Sequence, residues 1–296
     1  MMKKIKIIYN PSSGRRMVYN KLEKISIMLL ELGYTLSKFS TEKKNDAKEE
    51  ALRTCNEFWD LILVCGGDGT INEVVSGVME SDKRIPIAIF AAGTVNDFAN
   101  AMSLPRSAKE FVNMIVLGKT KKIDIGKVKD NYFINVAAGG LLTSVAHNAG
   151  VELKTLFGKL GYYLEGLKSI SAQNLSGTNM RIVSDEFVYE GDVLLFLVSN
   201  SQSVGGMKWA APDAEVSDGK LDVIIVKSLD IQNILDILIK LQNGQHVENE
   251  RIEYFKTESI YIESNDDIEI DVDGELAGHL PSEFKVIKSA IDILIS

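Results

Sequence analysis

The run Cys65-Gly66-Gly67-Asp68-Gly69-Thr70 follows four apolar residues, Leu61-Ile62-Leu63-Val64, and leads into a stretch of helical patterning that ends at Met79. A buried strand, a glycine-rich bend and a helix start in that order point to an α/β layer. They leave backbone N–H groups and the positive end of a helix dipole facing open space. A phosphate fits such a space. Asp68 fits it poorly, because its carboxylate repels the phosphate, so either a cation or a hydrogen-bond network has to offset its charge.

Around that bend the first 120 or so residues alternate between two patterns. Residues 4–9, 34–39, 61–65 and 85–90 read as strands, and 19–32, 47–58, 70–79 and 108–117 as helices. In the first helix Leu22, Ile25, Leu29 and Leu32 share one face. Strands alternating with helices imply βαβ units and a parallel sheet that binds ligands at the carboxyl ends of its strands. From residue 123 the pattern changes to short strands, at 123–129, 132–137, 179–183, 193–199, 221–226, 259–263, 268–272 and 290–295. Turn residues such as Lys129-Asp130-Asn131 and Ser217-Asp218-Gly219 join many of them, and helices near 153–174 and 231–242 interrupt them. The expected fold is α/β, with an N-terminal parallel α/β nucleotide-binding domain over 1–122 and a C-terminal antiparallel β-sandwich-like domain over 123–296. The active site is expected in the cleft between the two, and a chain of 296 residues suits two cores better than one.

Charge and cysteine usage narrow the function classes. The balance of 33 basic against 41 acidic residues gives −8, which argues against nucleic acid as a partner. No apolar run approaches the roughly 18 residues of a membrane span. The lysines and apolar residues of 1–10 are too short for a secretion signal and read as a first strand. Cys55 and Cys65 offer no disulfide framework and read as buried thiols in a reducing cytoplasm. His147, His246 and His279 lack metal-ligand spacing.

Three glycine- or serine-rich elements follow strand ends and so fall on one edge of the sheet. They are Asn10-Pro11-Ser12-Ser13-Gly14, with Arg15 and Arg16 beside it; Gly66 to Thr70, with Ile71, Asn72 and Glu73 beyond; and Ala92-Gly93-Thr94-Val95-Asn96-Asp97. One such bend is often an ordinary tight turn. Three on one edge beside two arginines point to a polyphosphate pocket, and Thr41, at another strand end, is placed to line the same edge.

These motifs resemble the diacylglycerol-kinase catalytic-domain family of bacterial lipid kinases. The resemblance continues through Ile123-Asp124-Ile125-Gly126-Lys127-Val128, Tyr132-Phe133-Ile134-Asn135, Pro212 with Ala214, Asp218-Gly219-Lys220-Leu221-Asp222-Val223 and Asp273-Gly274-Glu275, in family order across nearly the whole chain. Gly-Gly-Asp-Gly-Thr alone is shared with NAD kinases. The resemblance implies transfer of a phosphoryl group from ATP, with Mg²⁺, to a lipid hydroxyl, most simply diacylglycerol to phosphatidic acid in phospholipid metabolism. It places the nucleotide on Asn10–Gly14, Thr41, Gly66, Gly67, Asp68, Gly69, Thr70, Ile71, Asn72, Glu73, Gly93, Thr94, Asn96 and Asp97. It makes Glu275 the general base, with Asp273 and Asp68 as further catalytic positions. Phosphoryl transfer needs positioning, charge compensation and a base at the nucleophile, which is the chemistry this set offers.

For Mg²⁺ the resemblance implies an aspartate–water–metal network of Asp68, Asp97 and Asp124, since Mg²⁺ keeps several waters. It implies a second ion at Glu215, Asp218 and Lys220, held by one carboxylate and backbone carbonyls. Asp218-Gly219 also reads as a plain hairpin turn. Residues 153–170 set Leu156, Phe157, Leu160, Tyr163, Leu164 and Leu167 beside Lys154, Lys159 and Lys168. That pattern suits a helix packed on the second sheet, and also a helix resting on an anionic bilayer. The expected partner is a lipid at a membrane surface, met peripherally by a cytoplasmic protein, with a homodimer left open. The alternatives are an NAD kinase-like small-molecule kinase and a lipid kinase for a sphingoid base or phosphatidylglycerol.

Overall fold

The computed structural model describes residues 3–13, 15–140, 177–228, 237, 240 and 244–296. Its contacts divide into two compact units, Met1–Asp124 with Ser289–Ser296, and Ile125–Lys288. The expected boundary after residue 122 lies two residues from this division. The expected single crossing is replaced by two, because the last eight residues return to the first unit.

In the first unit, β1 (Lys4–Tyr9), α1 (Arg15–Glu31), β2 (Thr35–Ser40), α2 (Asp46–Asn56), β3 (Leu61–Gly66), α3 (Asp68–Glu80), β4 (Ile87–Ala91), α4 (Asp97–Ala101) and α5 (Ala108–Leu117) follow one another. The strands pair in parallel in the order β2-β1-β3-β4. β3 is buried along its whole length, as expected of a parallel strand covered on both faces. In α1, Leu22, Ile25 and Leu29 face the core, whereas Leu32 lies beyond the helix and is 53% exposed. Gly33 stops the helix there, at φ +81 with its amide on Leu30 O. β4 starts two residues later than expected, since Pro86 has no N–H to give a sheet.

In the second unit the strands are antiparallel. After β5 (Thr120–Val128), which crosses the division, come β6 (Asn131–Phe133), β7 (Val136–Gly139), β8 (Thr178–Ser184), β9 (Val188–Ser199), β10 (Leu221–Lys227), β11 (Ile252–Thr257), β12 (Ser259–Ser264), β13 (Glu269–Val272), β14 (Glu275–His279) and β15 (Ser282–Leu294). They pair in the order β14-β13-β7-β9-β8-β12-β15, and β10 bridges β9 and β11. A core around Phe133, Phe196 and Phe284 fills this unit, with Phe196 and Phe284 edge to face at 5.7 Å. The single strand expected over 132–137 is broken at Ile134-Asn135, for a reason given by Asp273 below. The end of β15 returns to the first unit, where Ile293 pairs with Ile87.

The helices expected near 153–174 and 231–242 lie outside the described residues, except Ile237 and Lys240, which are helical. No described helix is long and apolar enough to cross a membrane. Both cysteines are buried free thiols, and burial pushes Cys65 up to about 12.

Candidate active site

The carboxyl ends of the four parallel strands carry the predicted loops. The amide of Asn10, just past β1, donates to Cys65 O at 3.0 Å, and that of Thr41, just past β2, donates to Tyr9 O at 3.0 Å. Asn10 Oδ1 accepts from Ser12 N at 2.8 Å, and its Nδ2 reaches Thr70 Oγ1 at 3.4 Å. Ser13 Oγ accepts from Gly67 N at 3.3 Å. These bonds brace the loop after β1 against the loop after β3. Gly14 lies outside the described residues.

The glycines are set by close approach. A Cβ on Gly93 would stand 2.7 Å from Gly67 Cα and 2.9 Å from Asn96 Oδ1, and one on Gly66 would stand 2.5 Å from Thr70 Cβ. The loops after β3 and β4 therefore meet backbone to backbone, leaving a cradle that side chains would fill. α3 begins at Asp68, two residues earlier than its apolar pattern suggests, with Gly67 extended at its N-cap. Asp68-Gly69-Thr70 is thus the first helical turn, and Asp68 sits where the helix dipole favours an anion.

Asp68 is 7% exposed. Its Oδ2 accepts the amide of Asn96 at 3.0 Å, while its buried Oδ1 accepts no hydrogen bond from the described residues. Asn96, left-handed at φ 58, clamps Gly93 with both ends of its side-chain amide: Oδ1 accepts Gly93 N at 2.7 Å and Nδ2 donates to Gly93 O at 2.9 Å. Hydrogen bonding and the helix start offset part of the Asp68 charge, and Oδ1 retains the rest. Asp97 opens α4 and is 2% exposed. Asp124 is equally buried, and its Oδ1 accepts the amide of Ser289 at 2.7 Å.

Two of the predicted nucleotide residues turn elsewhere. Ile71 is 1% exposed within the core. The Glu73 carboxylate accepts the amides of Asn45 and Ala47 at 3.0 and 3.1 Å, so it caps the start of α2. Thr94 is exposed, and Asn72 bonds Ser76 Oγ at 3.3 Å within α3.

In the second unit, Asp273-Gly274 forms a two-residue turn between β13 and β14 with φ 50 and 96, the primed geometry that Asp-Gly favours. Glu275 follows it directly and is exposed. Asp273 is 3% exposed, and its carboxylate accepts the amides of Ile134, Asn135 and Val136 at 2.9, 3.1 and 3.0 Å. Ile134 and Asn135 are the two residues of the break between β6 and β7, and Val136 is the first of β7. Asp271 Oδ1 accepts Gly274 N at 2.8 Å. Asp273 therefore holds the turn, and Glu275 is the carboxylate presented beside it.

Behind the turn lies a buried polar layer that sequence reasoning did not single out. Asn200 donates through its amide to Asn135 O at 2.7 Å and through Nδ2 to Ile134 O at 3.0 Å, and Ser201 Oγ reaches Asn135 Oδ1 at 3.0 Å. No local pattern marks these residues, because each partner is 65 or 66 positions away.

Among the described residues no group of three or more His, Cys, Asp or Glu side chains converges to hold a metal. An ion held through water beside Asp68 still fits, since the unpartnered, buried Asp68 Oδ1 is an anionic oxygen facing a phosphate cradle. The loop of Glu215, Asp218 and Lys220 does not fit as it stands. Asp218 Oδ1 accepts Lys220 N at 3.0 Å, and Oδ2 accepts the Lys256 ammonium at 2.7 Å. Glu215 O already accepts the amides of Ser217 and Asp218, at 2.7 and 3.3 Å. A divalent ion there would have to displace Lys256. Nearby, Tyr254 donates its hydroxyl to Asp222 Oδ1 at 2.5 Å, and burial pushes Asp222 up to about 6. Among the described histidines, His246 is buried with Nε2 on Ala210 O at 2.9 Å, and burial holds it below its usual value. His279 Nδ1 lies 2.6 Å from Asp267.

Comparison with known proteins identifies the family. Residues 4–128 match the family model of the diacylglycerol kinase catalytic domain, and 135–295 match that of the YegS C-terminal NAD kinase beta sandwich-like domain. The chain is 36% identical over 293 residues to the diacylglycerol kinase of Staphylococcus carnosus, covering 99% of this chain and 95% of that protein. It is 37% identical to that of Staphylococcus epidermidis, covering 99% and 92%. A crystal structure of a diacylglycerol kinase from Bacillus anthracis superposes over 100% of this chain and 97% of its own, at 26% identity and a TM-score of 0.77. The chain belongs to the diacylglycerol kinase catalytic-domain family and is a lipid kinase.

Proposed function

We propose that this lipid kinase transfers the γ-phosphate of ATP to the free hydroxyl of diacylglycerol, forming phosphatidic acid and ADP, with Mg²⁺ beside the phosphates. The observation that carries the nucleotide half is the Gly67–Gly93 cradle next to the unpartnered Asp68 Oδ1. Asn10, Ser12, Ser13, Thr41, Thr70 and Thr94 border the polyphosphate; Glu73 and Ile71 support it from outside, as helix cap and core residue.

Mg²⁺, when bound, supplies positive charge against the transferring phosphoryl group. Asp68, whose buried Oδ1 has no hydrogen-bond partner among the described residues, would hold it together with Asp97 and Asp124. In the transfer, the acceptor oxygen forms a bond to the γ-phosphorus while the bond to the bridging oxygen of the β-phosphate breaks. Glu275 takes the hydroxyl proton on its carboxylate. Asp273 keeps the turn rigid rather than meeting the substrate, because its carboxylate is committed to backbone amides.

The acceptor places the enzyme at a membrane surface, in peripheral contact. An NAD kinase-like activity is the second reading, favoured by the description of the family model that matches 135–295. Changing Glu275 to Gln tests the base: turnover should be lost while ATP binding stays near wild type. Wild-type turnover in Glu275→Gln would sink the assignment.

A further inference from the structure

The strand that carries Glu275 ends its sheet. Among the described residues β14 pairs with β13 alone, so one of its edges has no neighbouring strand among them. Two described side chains reach that edge. Asn131 Nδ2 donates to Ala277 O at 3.2 Å, and Lys129 Nζ donates to His279 O. Lys129 lies in the short turn that joins β5 to β6, and Asn131 is the first residue of β6.

Three further features make this contact more than incidental. Lys129 adopts φ 51, a left-handed conformation that glycine or asparagine takes at lower steric cost. In that conformation its ammonium reaches the strand, so the strained backbone coincides with a used side chain. Opposite it, Gly278 has φ +119, and a Cβ at that position would come within 3.2 Å of Lys129 Nζ. Glycine at 278 thus gives the ammonium room to reach the strand. Finally, the β13–β14 register shifts between Ile270 and Asp271, leaving Ala277 as the extra residue of a bulge. Bulges bend a strand and re-aim its side chains, and the Ala277 carbonyl is the one Asn131 holds.

We propose, taking Glu275 as the base, that Lys129 and Asn131 form a latch on the outer edge of β14 and are positioning residues for the reaction. Asp273 fixes the turn before Glu275, and the latch fixes the strand after it. The backbone on either side of Glu275 is thus held by one stretch of chain, residues 129–136. Small errors in placing a reacting group cost rate far more than they cost stability.

Lys129→Gly suits the test because glycine relieves the left-handed backbone while removing the ammonium. The full chain carrying Lys129→Gly with Asn131→Ala is compared with wild type for kcat, KM for ATP, KM for dispersed diacylglycerol, melting temperature and oligomeric state. The expected result is a kcat lower by about tenfold, with KM for ATP and the melting temperature unchanged, and recovery of most of the rate in Lys129→Arg. On a Glu275→Gln background the two changes should have no further effect, as for residues acting through one group. An unchanged kcat overturns the latch, as does a loss that tracks a lower melting temperature. Self-association at wild-type kcat also overturns it and makes the lysine an edge guard. If Glu275→Gln itself turns over normally, the base reading fails whatever the double variant does. If Glu275→Gln is inactive and the double variant is not impaired, only the latch fails.

Discussion

The amide of Asn96 donates to Asp68 Oδ2 at 3.0 Å, and through that bond the loops after β3 and β4 hold each other. One carboxylate oxygen is fixed by the Asn96 amide, and the other is buried with no hydrogen-bond partner among the described residues. In the proposed function this division lets an acidic residue sit inside a phosphate cradle.

Asp68→Asn keeps an oxygen for Asn96 and removes the charge. The fold should survive, and kcat should fall by roughly 10²-fold or more, the scale on which losing one pre-organised charge-stabilising group is felt. Steady-state kinetics across a Mg²⁺ titration reads this directly. A variant with wild-type kcat and Mg²⁺ dependence would remove Asp68 from the site.

Gly93→Ala drives a methyl to within 2.7 Å of Gly67 Cα, a backbone atom that cannot yield, and to 2.9 Å of Asn96 Oδ1. The cost should be about 1–3 kcal/mol of stability, with ATP affinity lost in calorimetry. Gly69→Ala is the matched control, since nothing lies within 4 Å of its Cβ. It should melt at or above the wild-type temperature, as alanine favours the helix.

Glu73→Ala separates a helix cap from a nucleotide contact. Loss of the bonds to Asn45 and Ala47 should cost about 0.5–2 kcal/mol in denaturant unfolding, with KM for ATP unchanged. A raised KM at unchanged stability would restore Glu73 to the nucleotide site.

Asp222 gives the unit Ile125–Lys288 a pH signature. Burial raises its folded value from 3.8 to about 6, against the opposing effects of the Tyr254 hydroxyl and Lys256. The folded chain therefore holds this proton more tightly than the unfolded chain. The resulting contribution is complete below about pH 4 and is lost as pH rises through 6. Asp222→Asn keeps an acceptor for Tyr254 and does not titrate. Relative to wild type it should gain stability between pH 4 and 6, on the order of 2–3 kcal/mol in all. A difference between the two proteins that stays flat with pH would contradict this.

Much of the fold is legible because strand burial and helical periodicity are local properties. Residues 4–9 and 108–117 match β1 and α5 at both ends. β14 is missed because Glu275-Leu276-Ala277-Gly278-His279 has little strand propensity, although Asp273-Gly274 beside a strand is a hairpin signal. β15 is only half seen, since its first seven residues alternate with charged ones and the apolar run begins at Ala290. Within the site, the glycines and Asp68 announce themselves by motif. Asp273 does not show its role, because the amides it binds lie 137 to 139 positions away. The latch is hidden in the same way, with Lys129 and His279 separated by 150 positions.

The most direct measurement supplies γ-labelled ATP and Mg²⁺ with diacylglycerol, monoacylglycerol, sphingosine, phosphatidylglycerol and NAD in parallel. Labelled phosphatidic acid, formed by the wild type and not by Glu275→Gln, is the predicted result. Label on NAD alone, or on no lipid in the set, would contradict transfer to a diacylglycerol hydroxyl.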